Sequence, residues 1–570
     1  MPESSSGSAS SSGSASSSGR TGADLVVECL AAEGVTHVFG LPGTTIMDLI
    51  DSLARQDGIR YLSTRHEQVA GFMADGFSRA GGPLGVCLAS RGPGAANLAI
   101  AVQNAYDESI PMLVLIGQVP SAIVERRSFE EMDVVAAFRP LCKRVVEVHR
   151  PERVPELVQR AVRTAVTGRP GPVVVSLPLD VLQAPAAAAA APRVRFHAPA
   201  PDPGGIAEAA RLLAAAERPA IIVGGGARDA TALLGLAEAA AAPIVSTWLR
   251  KNAVPNGHPA FCGPLGYGAH DVSERLVREA DVIVALGCRF SEFTTRRWTL
   301  VPGSAQLVHV DVDPDELGRV HLPRVGLVSD AAAAARALAA ALPPLLADDL
   351  ERAERRGNRR AALRKEYENA AAPPSTPPRS GTVSSAALVH AVQELADRDG
   401  IVLVQDVHTF GPWVARHLAV ERPASYYASA GGAMAWGFPA AMGMALARPD
   451  QRVVAISGDG SFWMVAQDLE TCVRERIPVV NLIVNNFAYG NTRDRQRTAH
   501  GGRYHGVFLD NPDFAAYARL LGAHGVRVTD DADLRAAIAE AIAQPGPSVV
   551  DVVQDPMEGL PPGLTPPAAR

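Results

Sequence analysis

Two oxygen donors stand 27 positions apart in the last third of the chain. Asp459 lies in Val453-Val-Ala-Ile-Ser-Gly-Asp-Gly-Ser-Phe462, and Asn486 closes the run from Val479 to Asn485-Asn486. Each follows an apolar stretch that reads as a buried strand, and a helical pattern over 463–474 joins the two. Both side chains are therefore expected at the carboxyl ends of strands, where open α/β sheets bind ligands. A carboxylate oxygen and an amide oxygen are hard donors suited to Mg²⁺, which completes its octahedron with phosphate oxygens and water. Gly458, Gly460 and the following Ser461 let backbone N–H groups and a helix N-terminus approach those phosphates. Gly-Asp-Gly alone would mark only a tight turn. Strand, spacing and Asn-Asn pair together favour a metal-diphosphate site.

Such a site needs a sheet to carry it, and the chain offers three. Short β-prone runs alternate with helical patterns at 35–39, 84–89, 112–116 and 172–176, then at 220–223, 244–246, 282–286 and 306–312. They recur at 401–404, 453–456, 479–484 and 548–553. Alternation of this kind predicts parallel sheets with helices on both faces, and the all-apolar runs fit strands buried on both sides. The fold class expected is α/β, with three doubly wound parallel-sheet domains. We place an unstructured Ser/Gly/Ala tail at 1–20, a first domain at 21–182, and a Pro/Ala linker at 183–203. A central domain follows at 204–345, then a charged and Pro-rich linker at 346–382, a third domain at 383–556 and a tail at 557–570.

Of 570 residues, 47% are hydrophobic and 20% charged, which excludes a mostly disordered chain. A formal net charge of −6 argues against a nucleic-acid binder relying on a basic face. The opening stretch lacks the apolar core of a secretory signal, and the alanine run at 186–191 is far too short to span a bilayer. The six cysteines are scattered and form no CxxC, as suits a reducing compartment. The expectation is a cytoplasmic protein with no membrane partner.

With the metal motif in view, the chain resembles the thiamine-diphosphate (ThDP) enzymes, whose signature is Gly-Asp-Gly, a spacer, then Asn-Asn. The resemblance implies that Asp459, Asn486 and the carbonyl of Ala488 bind Mg²⁺ beneath the diphosphate of ThDP. Thr64-Arg-His-Glu67 and the helical Gln68-Val-Ala-Gly-Phe-Met-Ala-Asp-Gly-Phe-Ser78 resemble the family's strand-end "RHE" and its "ADGYAR" helix. Glu67 is then the catalytic carboxylate. It hydrogen-bonds pyrimidine N1′ and promotes the imino tautomer whose 4′ nitrogen takes the proton from thiazolium C2. Ser90-Arg-Gly-Pro-Gly-Ala-Ala-Asn97 and Gly117-Gln118 follow in family order. Gly431-Gly-Ala-Met-Ala-Trp-Gly-Phe-Pro-Ala-Ala441 resembles the "GLGTMGFGLPAA" segment. By that likeness Met434 props the bent cofactor and the Gly432 carbonyl accepts from its 4′ amino group.

Within the family the likeness is to the acetolactate synthase catalytic subunit and its relatives. It rests on Phe39-Gly-Leu-Pro-Gly43, Ser128-Phe129-Glu-Glu-Met-Asp133 and Phe138-Arg-Pro-Leu-Cys-Lys143. It implies substrate contacts from Gln118, Phe129 and Lys143, with Lys143 either suited to a carboxylate or a solvated lysine at a helix end. Arg493, Arg495, Arg497 and Arg503 form either a solvated loop or a surface for a carboxylate or CoA phosphate. The chain departs from the synthase at Arg495, which stands where the pattern has Trp, at Asp406-Val-His-Thr-Phe-Gly411, and at Glu130, which stands for Gln. The leading expectation is a ThDP- and Mg²⁺-dependent transferase that decarboxylates a 2-oxo acid and passes the acyl carbanion to an acceptor carbonyl. A lyase acting on a 2-hydroxyacyl-CoA or oxalyl-CoA is the alternative, and a ThDP-binding protein without turnover is the third reading. The middle block keeps Gly224-Gly-Gly226 and Gly287-Cys-Arg-Phe290. It is left open between FAD, CoA and an empty structural domain, the last preferred. Sharing of one ThDP between the first and third blocks of different subunits implies a homodimer or a dimer of dimers.

Overall fold

The computed structural model describes residues 19–347 and 349–564; most of the tail expected at 1–20 lies outside them, as does the end of the one expected at 557–570. The described residues form three six-stranded sheets, every pairing parallel. The first holds β1 (His37–Gly40), β2 (Arg60–Ser63), β3 (Gly85–Ala89), β4 (Met112–Gln118), β5 (Arg144–Glu147) and β6 (Pro172–Pro178), in the order β2-β1-β3-β4-β6-β5. The second holds β7 (Pro219–Val223), β8 (Ile244–Ser246), β9 (Phe261–Pro264), β10 (Val282–Leu286), β11 (Gln306–Asp311) and β12 (Val325–Val328), in the order β12-β11-β10-β7-β8-β9. The third holds β13 (Ile401–Gln405), β14 (Tyr426–Ala428), β15 (Arg452–Gly458), β16 (Val479–Asn485), β17 (His524–Val528) and β18 (Ser548–Val553), in the order β14-β13-β15-β16-β18-β17.

The outer sheets share one topology and the middle one does not. The middle order, 3-2-1-4-5-6 in local numbering, is that of dinucleotide-binding sheets, with a switch point between β7 and β10. Burial explains why the strands form. β4 and β6 are buried at every residue, as all-parallel strands covered on both faces must be.

Two expectations change. The stretch 346–382 is not merely a connector. Helix Leu350–Ala371 packs Leu363 and Tyr367 into the core of the middle domain, and its buried Arg356 donates to the carbonyls of Ala214 and Ala216. The helix expected over 463–474 is broken into Asp459–Trp463, a tight turn at Ala466–Asp468 and Leu469–Glu475. The break sets Asp468 where it accepts the Arg65 N–H (2.8 Å) and the Thr471 hydroxyl (2.8 Å), which ties this segment to the first domain. Among the described residues, no helix is long and apolar enough to cross a membrane.

The first and third domains also meet through helices Glu67–Arg79 and Gly437–Ala447. A Cβ on Gly76 would lie 2.1 Å from the Ala440 carbonyl oxygen, and one on Gly443 would lie 2.0 Å from that of Met73. Each helix thus presents a glycine to the other's backbone, and the contact closes only because neither position carries a side chain.

Candidate active site

β15 and β16 are neighbours, with Gly458 opposite Val484 in register. Asp459 and Asn486 therefore leave adjacent strands at the same carboxyl edge. Asp459 also begins a helix, so its surroundings combine a carboxylate with free helix N–H groups. Its side chain is 2% exposed. One oxygen accepts the Gly460 N–H (2.9 Å) and the other accepts the Asn511 amide (2.7 Å), which also donates to Asn485 Oδ1 (3.0 Å). Burial pushes the Asp459 pKa up to about 6, against the donors of Gly460, Asn511, Phe487 and Ala488. All of these are neutral amides. A buried carboxylate compensated only by amides is the donor that a divalent cation fits.

Asn486 donates its amide to Thr409 Oγ1 (3.0 Å) and accepts the Ala488 N–H (3.2 Å). Phe487 between them has φ 54°, which turns the chain so that residues 486 and 488 face the same side. Gly460 has to be glycine, because a Cβ there would meet the Tyr489 ring at 2.7 Å. Ser461 is buried and donates to the Val407 carbonyl (3.3 Å). The structure thus brings Gly458, Asp459, Gly460, Ser461, Asn486 and Ala488 to one edge. Asn511, on a polar stretch after that edge, escaped the sequence reading because no periodicity marks it.

In the first domain Glu67 opens helix Glu67–Arg79, directly after the end of β2. It is 6% exposed. Its Oε2 accepts from Asn97 Nδ2 at 2.9 Å. Its Oε1 lies 2.9 Å from where a Cβ on Gly94 would stand, so the glycine leaves that oxygen room. Asn97 sits in the quoted Ser90–Asn97 motif, but its hold on Glu67 became visible only in three dimensions. Gln118, at the carboxyl end of β4, donates to the Met132 carbonyl (2.7 Å) and so pins the 128–133 segment to this edge. Phe129 is 76% exposed, with the Arg91 guanidinium 5.5 Å over its ring, and Arg91 also pairs with Glu130 at 3.3 Å.

Two expected substrate residues are placed elsewhere. Lys143 precedes β5 at the amino edge of the first sheet, opposite to Glu67, and donates to the Thr164 (2.6 Å) and Thr167 (2.8 Å) carbonyls at a helix end. Arg493 is fully buried, bound to the Pro556 and Glu558 carbonyls and paired with Asp494 at 3.0 Å. It staples the segment after β18 and has no face toward a substrate.

Gly432 is exposed with φ 78°, and Met434 is half-buried. Their loop rests on the far end of helix Pro93–Glu108: a Cβ on Gly431 would meet Asn104 Oδ1 at 2.5 Å. Between the middle domain and this loop lies a cavity of about 690 Å³, lined by Gly224, Gly225, Arg228, Arg289 and Gly431 among others. It opens where Gly224–Gly226 leave β7 and Gly287 leaves β10, at the switch point of the sheet.

Residues 20–137 match the family profile described as thiamine pyrophosphate enzyme, N-terminal TPP binding domain. Residues 206–338 match the central domain of the same enzymes and 406–552 their C-terminal TPP binding domain. The chain is 35% identical to a probable acetolactate synthase large subunit of Methanocaldococcus jannaschii, over 96% of this chain and 94% of that one. It is 33% identical to acetolactate synthase isozyme 1 large subunit of Escherichia coli (96% and 97% covered) and 34% identical to isozyme 2 of the same organism (96% and 98%).

Proposed function

Because this chain belongs to the thiamine pyrophosphate enzymes, and its relatives are acetolactate synthase large subunits, we propose that it is an acetolactate synthase-like carboligase: it takes a 2-oxo acid as donor, releases CO₂ and joins the acyl fragment to an acceptor carbonyl. The observation that carries this reading is the pair of half-sites. One is the buried, amide-bound Asp459 beside Asn486; the other is Glu67 with one oxygen fixed and one left open. ThDP, when bound, supplies a C2 carbon acid that adds to carbonyls and accepts the electron pair released on decarboxylation.

The chain's own residues divide the work. Asp459, Asn486 and the Ala488 carbonyl would hold Mg²⁺, and the N–H groups after Gly458 would take the diphosphate. Asn97 fixes Glu67 Oε2, which leaves Oε1 as the atom that holds and moves the proton. Gly432 offers its carbonyl and Met434 its thioether to the pyrimidine side. Gln118 and Phe129 border the substrate end, with Arg91 and Glu130 giving it mixed charge. The test is incubation of the purified chain with ThDP, Mg²⁺ and a panel of 2-oxo acids, singly and in pairs, with products identified by mass. A new C–C bonded hydroxy-keto acid supports the reading. Turnover confined to CoA thioesters overturns it in favour of the lyase.

We also infer that the middle domain is not an empty spacer. A dinucleotide-type strand order, glycines at the switch point and two arginines without a carboxylate partner among the described residues, Arg228 and Arg289, support a diphosphate-bearing nucleotide such as FAD or CoA. Absorbance and mass of the ligand released by heat would identify it; a purified chain that binds neither compound returns the domain to a structural role.

A further inference from the structure

The segment between β14 and helix Gly437–Ala447 carries Gly432 and Met434, yet it has no strand or helix of its own. It contains two left-handed residues, Gly432 (φ 78°) and Ala435 (φ 70°). A non-glycine residue in that region persists only where its surroundings over-determine it. Asp406 of the third domain takes the amides of Ala435 and Trp436; at 428–430 the contacts come from the first and middle domains, and most converge on Glu108.

Glu108 ends helix Pro93–Glu108, the same helix whose first turns carry Gly94 and Asn97 against Glu67. Its side chain is 1% exposed. Oε1 accepts the Ala430 N–H (3.1 Å). Oε2 accepts from Arg79 (2.8 Å) of the first domain and from Arg250 of the middle one. Both guanidiniums go on to the Ala428 carbonyl, Arg250 at 3.0 Å and Arg79 at 3.4 Å. One carboxylate thus collects a cation from each of two domains and a backbone amide from the third. Burial alone would raise its pKa, but Arg250 and Arg79 outweigh burial and bring it down to about 2, so it stays charged. Asn104, one turn earlier, adds a bond from the Ser429 hydroxyl (2.9 Å).

We propose that Glu108 is a positioning residue for the cofactor: by fixing the Ala430 amide and, through Arg250 and Arg79, the Ala428 carbonyl, it sets where the Gly432 carbonyl and Met434 stand. This rests on the ThDP reading of those two residues. The rival is a purely structural role, in which Glu108 only joins domains. Gln cannot replace it, because its NH₂ would face either the two guanidiniums or, flipped, the Ala430 N–H.

The full-length chain carries the test. Calorimetric titration with ThDP and Mg²⁺ is run on wild type, Glu108→Gln, Arg250→Met and Arg250→Lys, alongside hydrogen exchange of the 429–434 amides. Glu108→Gln is expected to weaken ThDP at least tenfold and to speed exchange in 429–434, with the strands of the first sheet unchanged. Arg250→Met should weaken ThDP by a smaller factor, and Arg250→Lys should recover most of it. A folded Glu108→Gln chain with wild-type affinity and exchange overturns the proposal. Should Glu108→Gln not fold, the Arg250 pair decides: a loss in Met that Lys rescues supports it, and three equal affinities overturn it. A wild-type chain that takes up no ThDP fails at the underlying reading and removes this inference with it, an outcome the wild-type titration alone identifies.

Discussion

Glu67 offers one free oxygen, and its value lies in which oxygen that is. With Oε2 held by Asn97, a Gln at this position would still pack and still accept from Asn97, but it could not exchange a proton at the other end. Glu67→Gln is therefore expected to leave ThDP binding within about threefold and to slow C2 proton exchange roughly 10²–10⁴-fold. Deuterium exchange at C2, read by NMR after acid quench, measures it, and an unchanged rate removes Glu67 from the role. Asp406 makes a separate, titratable case. It is 3% exposed, its Oδ2 has no hydrogen-bond partner, and burial pushes its pKa up to about 7 against the amides of Val407, Gly437, Ala435 and Trp436. Unfolded, it titrates near the ordinary value of about 3.9. Between those two values the folded chain holds a proton that the unfolded chain has lost. The contribution of Asp406 to the stability of the cofactor-free protein therefore falls as pH rises through that window, by at most about 1.4 kcal/mol per pH unit, and levels off above it. Urea midpoints at pH 5, 6, 7 and 8 should rise in Asp406→Asn relative to wild type as pH increases toward 7. Both proteins keep a slope of their own, because Asp459 and Asp468 are raised to about 6 and His270 and His408 are lowered to about 4, the two pairs acting with opposite sign. Parallel profiles for the two proteins would contradict the assignment.

Helix against helix, the closest approach between the first and third domains is the reciprocal glycine contact. Gly76→Ala or Gly443→Ala would drive a Cβ into a backbone carbonyl, which no rotamer change relieves. Each is expected to cost on the order of 3 kcal/mol or to prevent folding, seen as a loss of the cooperative thermal transition. Gly235, where a Cβ meets nothing within 4 Å, should tolerate Ala as a control. This contact was not legible in the sequence, where Gly76 reads as a member of a motif and Gly443 stands outside any. What the sequence did reveal follows a simple physical line. The twelve expected strands all lie inside their sheets, and the six unexpected ones, β2, β5, β9, β12, β14 and β17, are the two edges of each. Interior strands of a covered parallel sheet are apolar throughout and announce themselves. Edge strands such as Arg60–Ser63, Arg144–Glu147 and His524–Val528 have one flank and often one face in water, so polar residues break the run. The candidate site divides the same way. Asp459, Asn486 and Glu67 carry motif spacing, whereas Asn97, Asn511 and Glu108 act through contacts that only the folded chain creates. Lys143 and Arg493 show the converse: each is a cation near a motif, and only the folded chain shows that it serves helix-end or loop carbonyls.

Across the whole molecule, we propose that each site is completed by half-sites from two subunits. Glu67 lies against Gly94 and Asn97 at the start of helix Pro93–Glu108, while Gly431 lies against Asn104 near its end. The seven to ten residues between these contacts span roughly 10–15 Å of helix. Gly432 is exposed, and apolar side chains on the segments bearing the half-sites remain in water, with Phe129 at 76%, Trp463 at 49% and Met464 at 45% exposure. A two-fold dimer that sets Glu67 of one subunit over Met434 and Asp459 of the other would complete both sites and cover those side chains together. An isologous interface makes the two sites equivalent. Complementation tests this directly. Glu67→Gln and Asp459→Ala subunits, each inactive alone, are mixed, dissociated and allowed to reassociate. In a heterodimer one site pairs both lesions and the other pairs wild-type Glu67 with wild-type Asp459. Random reassociation makes about half the dimers mixed, so roughly a quarter of wild-type activity should return. Native mass spectrometry counts the heterodimers. If they form and no activity returns, the site is not shared, and a monomer active at assay concentration would place both halves within a single chain after all.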